Sequence, residues 1–304
     1  MVVQYKPTES SPLEDLVILK DQEHKFDPWA EASGGVPPFS AEWSLGNDTR
    51  IVSTSIDPEP MHLAPGTYYP RLIVRDSVGQ KKEVTIPKIV KLGEPEIPQG
   101  KYGVVEALAW TVPDSKMDSV IQQISDAKIP CVRMDFGWDT IEPREGRFNF
   151  TRFDRIVAKL TAKKIEVLAI LGYSARWAST GSGPDYQDQI LSPPRDPNAF
   201  ARYVFRLVER YNADGKDDAL GSPLIRYYEV WNEPNLKFFW RPSPNATEYV
   251  RLLRTAYYAA KYANPTCAIL SGGLGGNGVF MGWEPPESRD FLQKIYDCGG
   301  EFFD

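Results

Sequence analysis

From residue 103 to the end of the sequence, short apolar segments alternate with segments in which apolar residues recur every three or four positions. The first kind of segment is typical of buried strands and the second of amphipathic helices. Because parallel strands are joined by crossovers that are usually helices, this alternation predicts βα units around a parallel sheet. No other feature of the chain constrains the fold as strongly, and it predicts an α/β domain.

Five strands and the beginning of a sixth are predicted. Their bounds are Gly103–Leu108, Pro130–Phe136, Ile165–Leu171, Ile225–Val230, Cys267–Ser271 and Glu301–Asp304. The helices between them open near Asp114 and at Thr151, and the later ones include residues 248–263 and 288–296. The residues predicted to face the core are Met117, Val120, Ile121 and Ile124, then Phe153, Ile156, Val157 and Leu160, then Phe200, Tyr203, Val204, Leu207 and Val208. Thr151 and Asp154 have the spacing of a capping box.

Two arrangements of these units are possible. A (β/α)8 TIM barrel needs eight strands to close, whereas a doubly wound open sheet can stop at five or six. The barrel is favoured because polar and aromatic residues gather at the carboxyl ends of the predicted strands, where barrel active sites are built. These residues are Arg133, Trp138, Tyr173, Trp177, Asn232 and Glu233. The barrel domain is therefore expected over residues 103–304, with its C-terminal part missing after about five and a half units.

Residues 1–92 have the alternating pattern of half-buried strands, which predicts a small all-β sandwich. The predicted faces are Phe39, Ala41, Trp43 and Leu45, and Tyr68, Pro70, Leu72 and Val74. The runs 34–39, 43–48 and 64–76 resemble a polycystic-kidney-disease (PKD) immunoglobulin-like module, which implies a spacer or accessory domain and an extracellular or cell-surface protein. Residues 93–102 have the Pro- and Gly-rich composition of a linker.

Composition excludes several classes of function. The formal charge of −6 and the dispersed basic residues argue against nucleic acid as a partner, and no apolar run approaches a membrane span. No signal peptide opens the sequence, so either the protein is cytoplasmic or a leader has been removed. Three cysteines without metal-ligand spacing predict neither disulfides nor zinc, and the histidines, His24 and His62, lie far from the predicted site. We expect no metal and no cofactor.

Glu233 is the candidate catalytic residue. In the run Val230-Trp231-Asn232-Glu233-Pro234 the strand ends at the Asn-Glu pair, because Pro234 has no N–H to donate to a neighbouring strand. This places a carboxylate at the rim of the predicted barrel, beside an amide that can bind a sugar hydroxyl. Glycoside hydrolysis needs such a carboxylate and a second one facing it. The structural alternative is an ordinary turn that ends a strand.

Three ordered motifs resemble the retaining β-glycosidases of the clan that contains glycoside hydrolase families 5 and 39, with family 39 and its β-xylosidase-like members most similar in character. The motifs are residues 132–138, 141–150 and 229–235. The resemblance implies that Glu233 is the general acid/base, that Asn232 binds the sugar 2-hydroxyl, and that Arg133 holds the nucleophile. We expect the completed site to raise the pKa of Glu233, so that it can donate a proton.

The nucleophile implied by the resemblance is a Glu that ends strand seven, which this sequence does not reach. The acids after Glu233 fall on predicted helices, loops or the sixth strand: Glu248, Glu284, Glu287, Asp290, Asp297, Glu301 and Asp304. We therefore expect the nucleophile beyond residue 304 and expect residues 1–304 alone to be inactive. A structural ion pair is the alternative role for Arg133, and either role requires an acidic partner.

Aromatic side chains near the strand ends are candidate stacking surfaces for a carbohydrate substrate, because a ring offers a flat apolar face. The candidate substrate-binding residues are Trp138, Tyr173, Trp177, Trp231, Trp240 and Asn235. The same aromatics could instead form the core. A carbohydrate-binding or adhesion protein without catalysis is the main alternative function, and a barrel enzyme of unrelated chemistry is a third. The Gly-rich run 272–278 follows a strand but opens no helix directly, so nucleotide binding is not expected.

Overall fold

The computed structural model describes residues 2–6, 16–19, 25–26, 28–46, 50–93, 102–276 and 288–304. The chain forms two compact units, Met1–Glu94 and Pro95–Asp304. Several residues considered above lie outside the described residues: most of the predicted linker, His24, Glu284, Glu287 and residues 277–278 of the Gly-rich run.

The described residues of the first unit form nine short strands in three sheets. The strands are β1 (Val2–Lys6), β2 (Leu16–Leu19), β3 (Trp29–Ser33), β4 (Ser40–Ser44), β5 (Ile51–Ser53), β6 (Gly66–Tyr68), β7 (Arg71–Arg75), β8 (Lys81–Thr85) and β9 (Lys88–Lys91). An antiparallel sheet has the order β5-β4-β7-β8, a second sheet has the order β2-β9-β6, and β1 pairs with β3. The described part of this unit is therefore built from strands, as its alternating pattern predicts.

The core of the first unit divides into two groups. Ala41 and Trp43 on β4 pair with Val74 and Leu72 on β7, and these four side chains are buried together. The register of β4 shifts between Trp43 and Ser44, and Leu45 packs in the other group, around Phe26, Leu63 and Ile89. Tyr68 lies in that second group as well, because β6 belongs to a different sheet from β7. The two predicted faces are thus wrong at Leu45 and Tyr68.

In the second unit, residues 102–276 contain five parallel strands whose order in the sheet follows the sequence. The strands are β10 (Val104–Val105), β11 (Cys131–Gly137), β12 (Glu166–Gly172), β13 (Tyr227–Val230) and β14 (Ala268–Ser271). In a doubly wound sheet the order reverses at a switch point, whereas consecutive barrel strands are neighbours. The sequential order, β10-β11-β12-β13-β14, matches the barrel arrangement.

Helices connect these strands: α1 (Asp114–Asp126), α2 (Trp138–Ile141), α3 (Thr151–Ala162), α4 (Tyr186–Ile190), α5 (Pro197–Arg210), α6 (Ala246–Ala263) and α7 (Ser288–Gly299). Aspartate or asparagine caps three of them: Asp185 on α4, Asp196 on α5 and Asn245 on α6 each accept a backbone N–H of the first turn. The predicted inward faces are buried, except that Val120 is only half-buried. Each large apolar side chain so buried stabilises the fold by about 1.5–3 kcal/mol.

Two local predictions are corrected first. The side chain of Thr151 caps nothing, because Phe150 is the N-cap of α3 and Asn149 Oδ1 accepts the Thr151 N–H at 3.1 Å. Asp154 instead pairs with Arg210. The predicted strand Glu301–Asp304 is a 3-10 turn over Gly300–Phe302, although the backbone N–H of Asp304 then donates to Ile269 O on β14 at 2.7 Å.

The first parallel strand is also shorter than predicted, since only two of its residues, Val104 and Val105, pair with β11. None of the helices within the described residues is both long and apolar enough to cross a membrane.

Candidate active site

The carboxyl ends of the five parallel strands meet at one edge of the sheet, as parallel strands require. Gly137 ends β11, Tyr173 directly follows β12, Asn232 and Glu233 come just after β13, and Gly273 comes just after β14. This edge therefore assembles the sequence-predicted residues Asn232, Glu233 and Tyr173 with the loop that follows β14.

Glu233 is held by its backbone. Its N–H donates to Gly273 O at 2.9 Å, and its carbonyl accepts the Leu236 N–H at 2.9 Å. Glu233 and Trp231 both have left-handed backbone angles, with φ of 43° and 69°, which residues other than glycine rarely adopt. Two such residues within one short turn are a local strain of the kind that clusters at functional sites.

The Glu233 carboxyl is half-buried, and this burial raises its pKa above the ordinary glutamate value, although the positive charge of Arg133 acts in the opposite direction. A carboxyl with a raised pKa keeps its proton to a higher pH, as a general acid requires. The charge of Arg133 lowers the pKa of Glu233, and the charge of Glu233 in turn raises the pKa of Tyr173.

The acidic partner of Arg133 is Glu229. Its Nε donates to Glu229 Oε2 at 2.6 Å and its Nη2 donates to Glu229 Oε1 at 2.7 Å, which is the bidentate geometry of a strong ion pair. Nη2 also donates to Asn232 Oδ1 at 2.9 Å. Arg133 lies on β11 and Glu229 on β13, so the two side chains meet across the strand between them, β12.

Glu229 was not singled out from the sequence, although it stands in the quoted motif. Only 6% of its side chain is exposed. An acid in the middle of a four-residue strand with no exposed position is itself a signal, because a buried carboxylate needs a cation or hydrogen-bond donors. Gly273 N–H supplies a further donor, at 2.8 Å from Glu229 Oε1.

Asp135 is a third carboxyl on this face of the sheet. It follows Arg133 by two positions on β11 and is in register with Ile170, which is in register with Glu229. One oxygen, Oδ1, is buried without a hydrogen-bond partner. Burial raises the pKa of Asp135, Arg133 lowers it, and the charge of Glu229 adds to the increase.

Tyr173 and Trp177 are the two predicted stacking residues that remain partly exposed. The ring of Tyr173 packs edge-on against Trp231, with 5.2 Å between the ring centroids. Trp177 donates its indole N–H to Glu142 O at 2.8 Å. Both side chains therefore have fixed orientations.

The prediction of a stacking surface is wrong for Trp138, Trp231 and Trp240, which are each at most 1% exposed. Trp138 stacks on Tyr203 and donates to the buried Glu142 Oε2 at 2.6 Å. Trp231 and Trp240 pack against each other, with ring centroids 5.1 Å apart. These three rings therefore belong to the core, because none of them has an exposed face that could contact a sugar.

Asn235 is also corrected. It is fully buried, its Nδ2 donates to Gly275 O at 2.9 Å, and its Oδ1 accepts the Gly275 N–H at 2.9 Å. Both ends of the amide thus hold the loop after β14 against the loop after β13. Asn235 is a structural residue in this arrangement.

Trp110 is an aromatic residue that the sequence reasoning did not place at the site. It lies in the turn after β10, is 43% exposed, and packs over Gly137, where any added Cβ would collide with its ring. A partly exposed indole at the carboxyl end of β11 offers the flat face that the buried tryptophans lack.

A cavity of about 400 Å³ lies on the same face of the sheet, nearer the beginnings of the strands. Its lining includes Cys131, Arg133, Glu166, Leu168, Tyr227 and Leu270. Glu233 does not line it, so the cavity and the rim that carries Glu233 are different places that share Arg133.

Comparison with known proteins gives two local matches in sequence. A glycoside hydrolase 42 family model, described as β-galactosidase, matches residues 110–184. A β-xylosidase from Geobacillus stearothermophilus is 31% identical over 123 residues, which is 39% of this chain and 23% of the relative. The chain thus spans less than a quarter of that relative.

One solved structure supports the shared fold. A family 39 β-xylosidase from Caulobacter crescentus superposes with a TM-score of 0.50 and 18% identity, over 68% of this chain and 45% of that one. A family 39 glycoside hydrolase from Bacteroides cellulosilyticus WH2 covers 95% of this chain and 55% of its own, with a TM-score of 0.48 and 19% identity. The chain is therefore similar to glycoside hydrolases of families 39 and 42, and its α/β fold resembles that of a family 39 enzyme.

Proposed function

We propose that this protein hydrolyses β-glycosidic bonds of an oligo- or polysaccharide, with Glu233 as general acid/base. The observation that carries the proposal is the position of Glu233, directly after Asn232 at the carboxyl end of β13, with Arg133 holding the Asn232 amide at 2.9 Å. Active sites of barrel enzymes are built at this end of the strands. The local identity to a β-xylosidase supports the same reaction class.

In the first step, protonated Glu233 gives its proton to the glycosidic oxygen as the bond from that oxygen to the anomeric carbon breaks. A second carboxylate forms a bond to the anomeric carbon and yields a glycosyl-enzyme. In the second step, ionised Glu233 takes a proton from water, the water oxygen bonds to the anomeric carbon, and the second carboxylate leaves. The raised pKa of Glu233 supports its role as the acid.

Asn232 is proposed to bind the sugar 2-hydroxyl. Arg133 donates to Asn232 Oδ1, which fixes the carbonyl end of the amide towards the guanidinium. The Nδ2 group, with two N–H donors, is then the end that can contact a hydroxyl.

The second carboxylate is proposed to come from sequence that follows residue 304. Glu229 has both oxygens bound by Arg133 and is buried, so it is not free to attack a substrate. Asp135 has a buried oxygen and lies within the sheet. The three bonds of Arg133 use Nε and Nη2, which leaves Nη1 to hold the nucleophile in the role that Arg133 was expected to have.

The first unit is proposed to be an immunoglobulin-like accessory module of a secreted or cell-surface enzyme. Its antiparallel sheet, β5-β4-β7-β8, and the buried Trp43 support this role. Secretion of a reporter joined to the start of the full-length gene product tests the location, and retention of the reporter inside the cell would contradict it.

The test of the activity uses the full-length gene product on aryl β-glycosides and polysaccharides. We expect turnover with retained anomeric configuration, seen by proton NMR of the first product, and a loss of about 10²–10⁴-fold in kcat for Glu233→Gln. Glu209→Gln is the matched control, because Glu209 is also a half-buried carboxyl with a pKa raised by burial but lies on α5. The control should keep wild-type activity.

Inverted configuration would overturn the retaining mechanism, and full activity of Glu233→Gln would overturn the role of Glu233. Sugar binding without turnover would favour the non-catalytic alternative. Residues 1–304 expressed alone should bind but not hydrolyse, and turnover by them would place the nucleophile within this segment.

A further inference from the structure

Glu229 makes more polar contacts at this edge of the sheet than the candidate acid/base. It accepts two bonds from Arg133 and one from the Gly273 N–H, all between 2.6 and 2.8 Å. Its side chain is 6% exposed, whereas that of Arg133 is 25% exposed. Glu229 therefore stands behind the guanidinium, on the buried side of the site.

Two separate paths lead from Glu229 to the residues proposed to act on substrate. Through Arg133, Glu229 fixes the guanidinium that donates to Asn232 Oδ1 at 2.9 Å. Through Gly273, Glu229 binds the N–H of a residue whose carbonyl accepts the Glu233 N–H at 2.9 Å. Both members of the Asn232-Glu233 pair are thus located by one buried carboxylate.

The charges around Arg133 are unequal in number. Its guanidinium interacts with three carboxyls, those of Asp135 on β11, of Glu229 on β13 and of Glu233, and Tyr173, which follows β12, also faces it. Of these carboxyls, Glu229 forms the bidentate ion pair with Arg133. The ion pair reduces the effect of the Arg133 charge on Glu233, because opposite charges at hydrogen-bond distance partly cancel at longer range.

Resting on the proposed function, we infer that Glu229 is a positioning residue for the reaction: it holds Arg133, Asn232 and the Glu233 backbone in place and shields Glu233 from the full charge of Arg133. It does not touch substrate. A purely structural ion pair would affect stability alone, whereas this role also affects the proton affinity of Glu233.

The experiment replaces Glu229 by Gln in the full-length protein, which keeps the size and a hydrogen-bond acceptor but removes the charge. We expect kcat to fall by about 10²-fold, as misplaced catalytic groups do, with a smaller change in KM. We also expect the basic limb of the pH–kcat/KM profile to move to lower pH, because uncompensated Arg133 stabilises ionised Glu233. Glu142→Gln is the matched control, since Glu142 is a buried acid that binds Trp138 and Gly146 instead.

A carboxyl-¹³C titration of Glu233 gives a readout that does not depend on activity. The pKa of Glu233 should fall in Glu229→Gln and stay at the wild-type value in Glu142→Gln. If the wild type hydrolyses no glycoside, the proposed function fails, and this titration still decides the inference. An unchanged pKa together with unchanged kcat in Glu229→Gln would overturn it.

A second variant covers the case in which Glu229→Gln does not fold. Glu229→Met combined with Arg133→Met removes both charges, and replacing both partners of a buried pair is often tolerated. Here the pKa of Glu233 should rise, because the cation that lowers it is gone. A fall in pKa in this double variant would contradict the shielding role.

Discussion

Trp110 covers Gly137, the residue that ends β11, and stays 43% exposed while doing so. The glycine is required there, since any side chain would meet the indole ring. The contact therefore presents an aromatic face beside the rim of strand ends that carries Glu233.

We expect Trp110→Ala to weaken the binding of an oligosaccharide by about tenfold, or about 1.4 kcal/mol, through loss of this face. Titration calorimetry with the inactive Glu233→Gln protein as background measures the change. Trp138→Phe is the comparison. Because Trp138 is buried, this substitution should lower the stability of the fold and leave the affinity for sugar unchanged. Equal affinity with and without Trp110 would remove it from the site.

The raised pKa of Glu233 predicts a pH dependence with a defined sign. A carboxyl whose pKa is higher in the folded than in the unfolded protein contributes stability below its unfolded pKa, and this contribution is lost as pH rises through the folded pKa. Glu233→Gln should therefore become more stable relative to wild type as the pH increases through that window. Denaturant unfolding across pH 4 to about 8 measures the difference.

Tyr249 ties two strand ends together from α6. Its hydroxyl donates to Val230 O at 2.9 Å and accepts the Gly272 N–H at 2.6 Å, and the side chain is fully buried. Tyr249→Phe should cost about 1–3 kcal/mol, because two buried backbone groups lose their partner. The same substitution at exposed Tyr296 should cost much less, and equal losses would contradict the assignment.

Lys261 forms a buried ion pair with Asp304 at 2.7 Å, and it also donates to Cys267 O at 2.7 Å. Lys261→Met should destabilise the fold by about 3–5 kcal/mol, because it leaves a carboxylate without its cation. Lys159→Met breaks a surface pair with Asp118 and should cost at most about 1 kcal/mol. Thermal or denaturant unfolding of both variants gives the comparison.

The sequence predicted what depends on local periodicity. The inward faces of α1, α3 and α5 follow from apolar spacing, because a helix that packs on a sheet must bury one stripe. The cap of α3 did not follow, because the helix begins at Thr151 itself, whose N–H donates to Asn149 Oδ1, and local spacing does not decide which residue precedes the first turn. The bulge after Trp43 likewise moved Leu45 to another core group.

At the site, the rim position of Asn232 and Glu233 follows from the strand that ends before Pro234. The partner of Arg133 did not follow, because Glu229 is 96 positions away and their meeting depends on the register of β11, β12 and β13. The role of the tryptophans did not follow either, because it depends on whether each ring is buried. Composition does not distinguish a ring in the core from one that faces solvent.

The left-handed backbone at Glu233 also bears on protein engineering. Glycine adopts positive φ at no steric cost, so Glu233→Gly removes the acid while relaxing the turn that carries it. The variant would leave the space of the side chain empty near the positive charge of Arg133, and we expect formate or azide added from solution to enter it. The same strained turn that positions the acid thus makes this residue replaceable by a small diffusible anion.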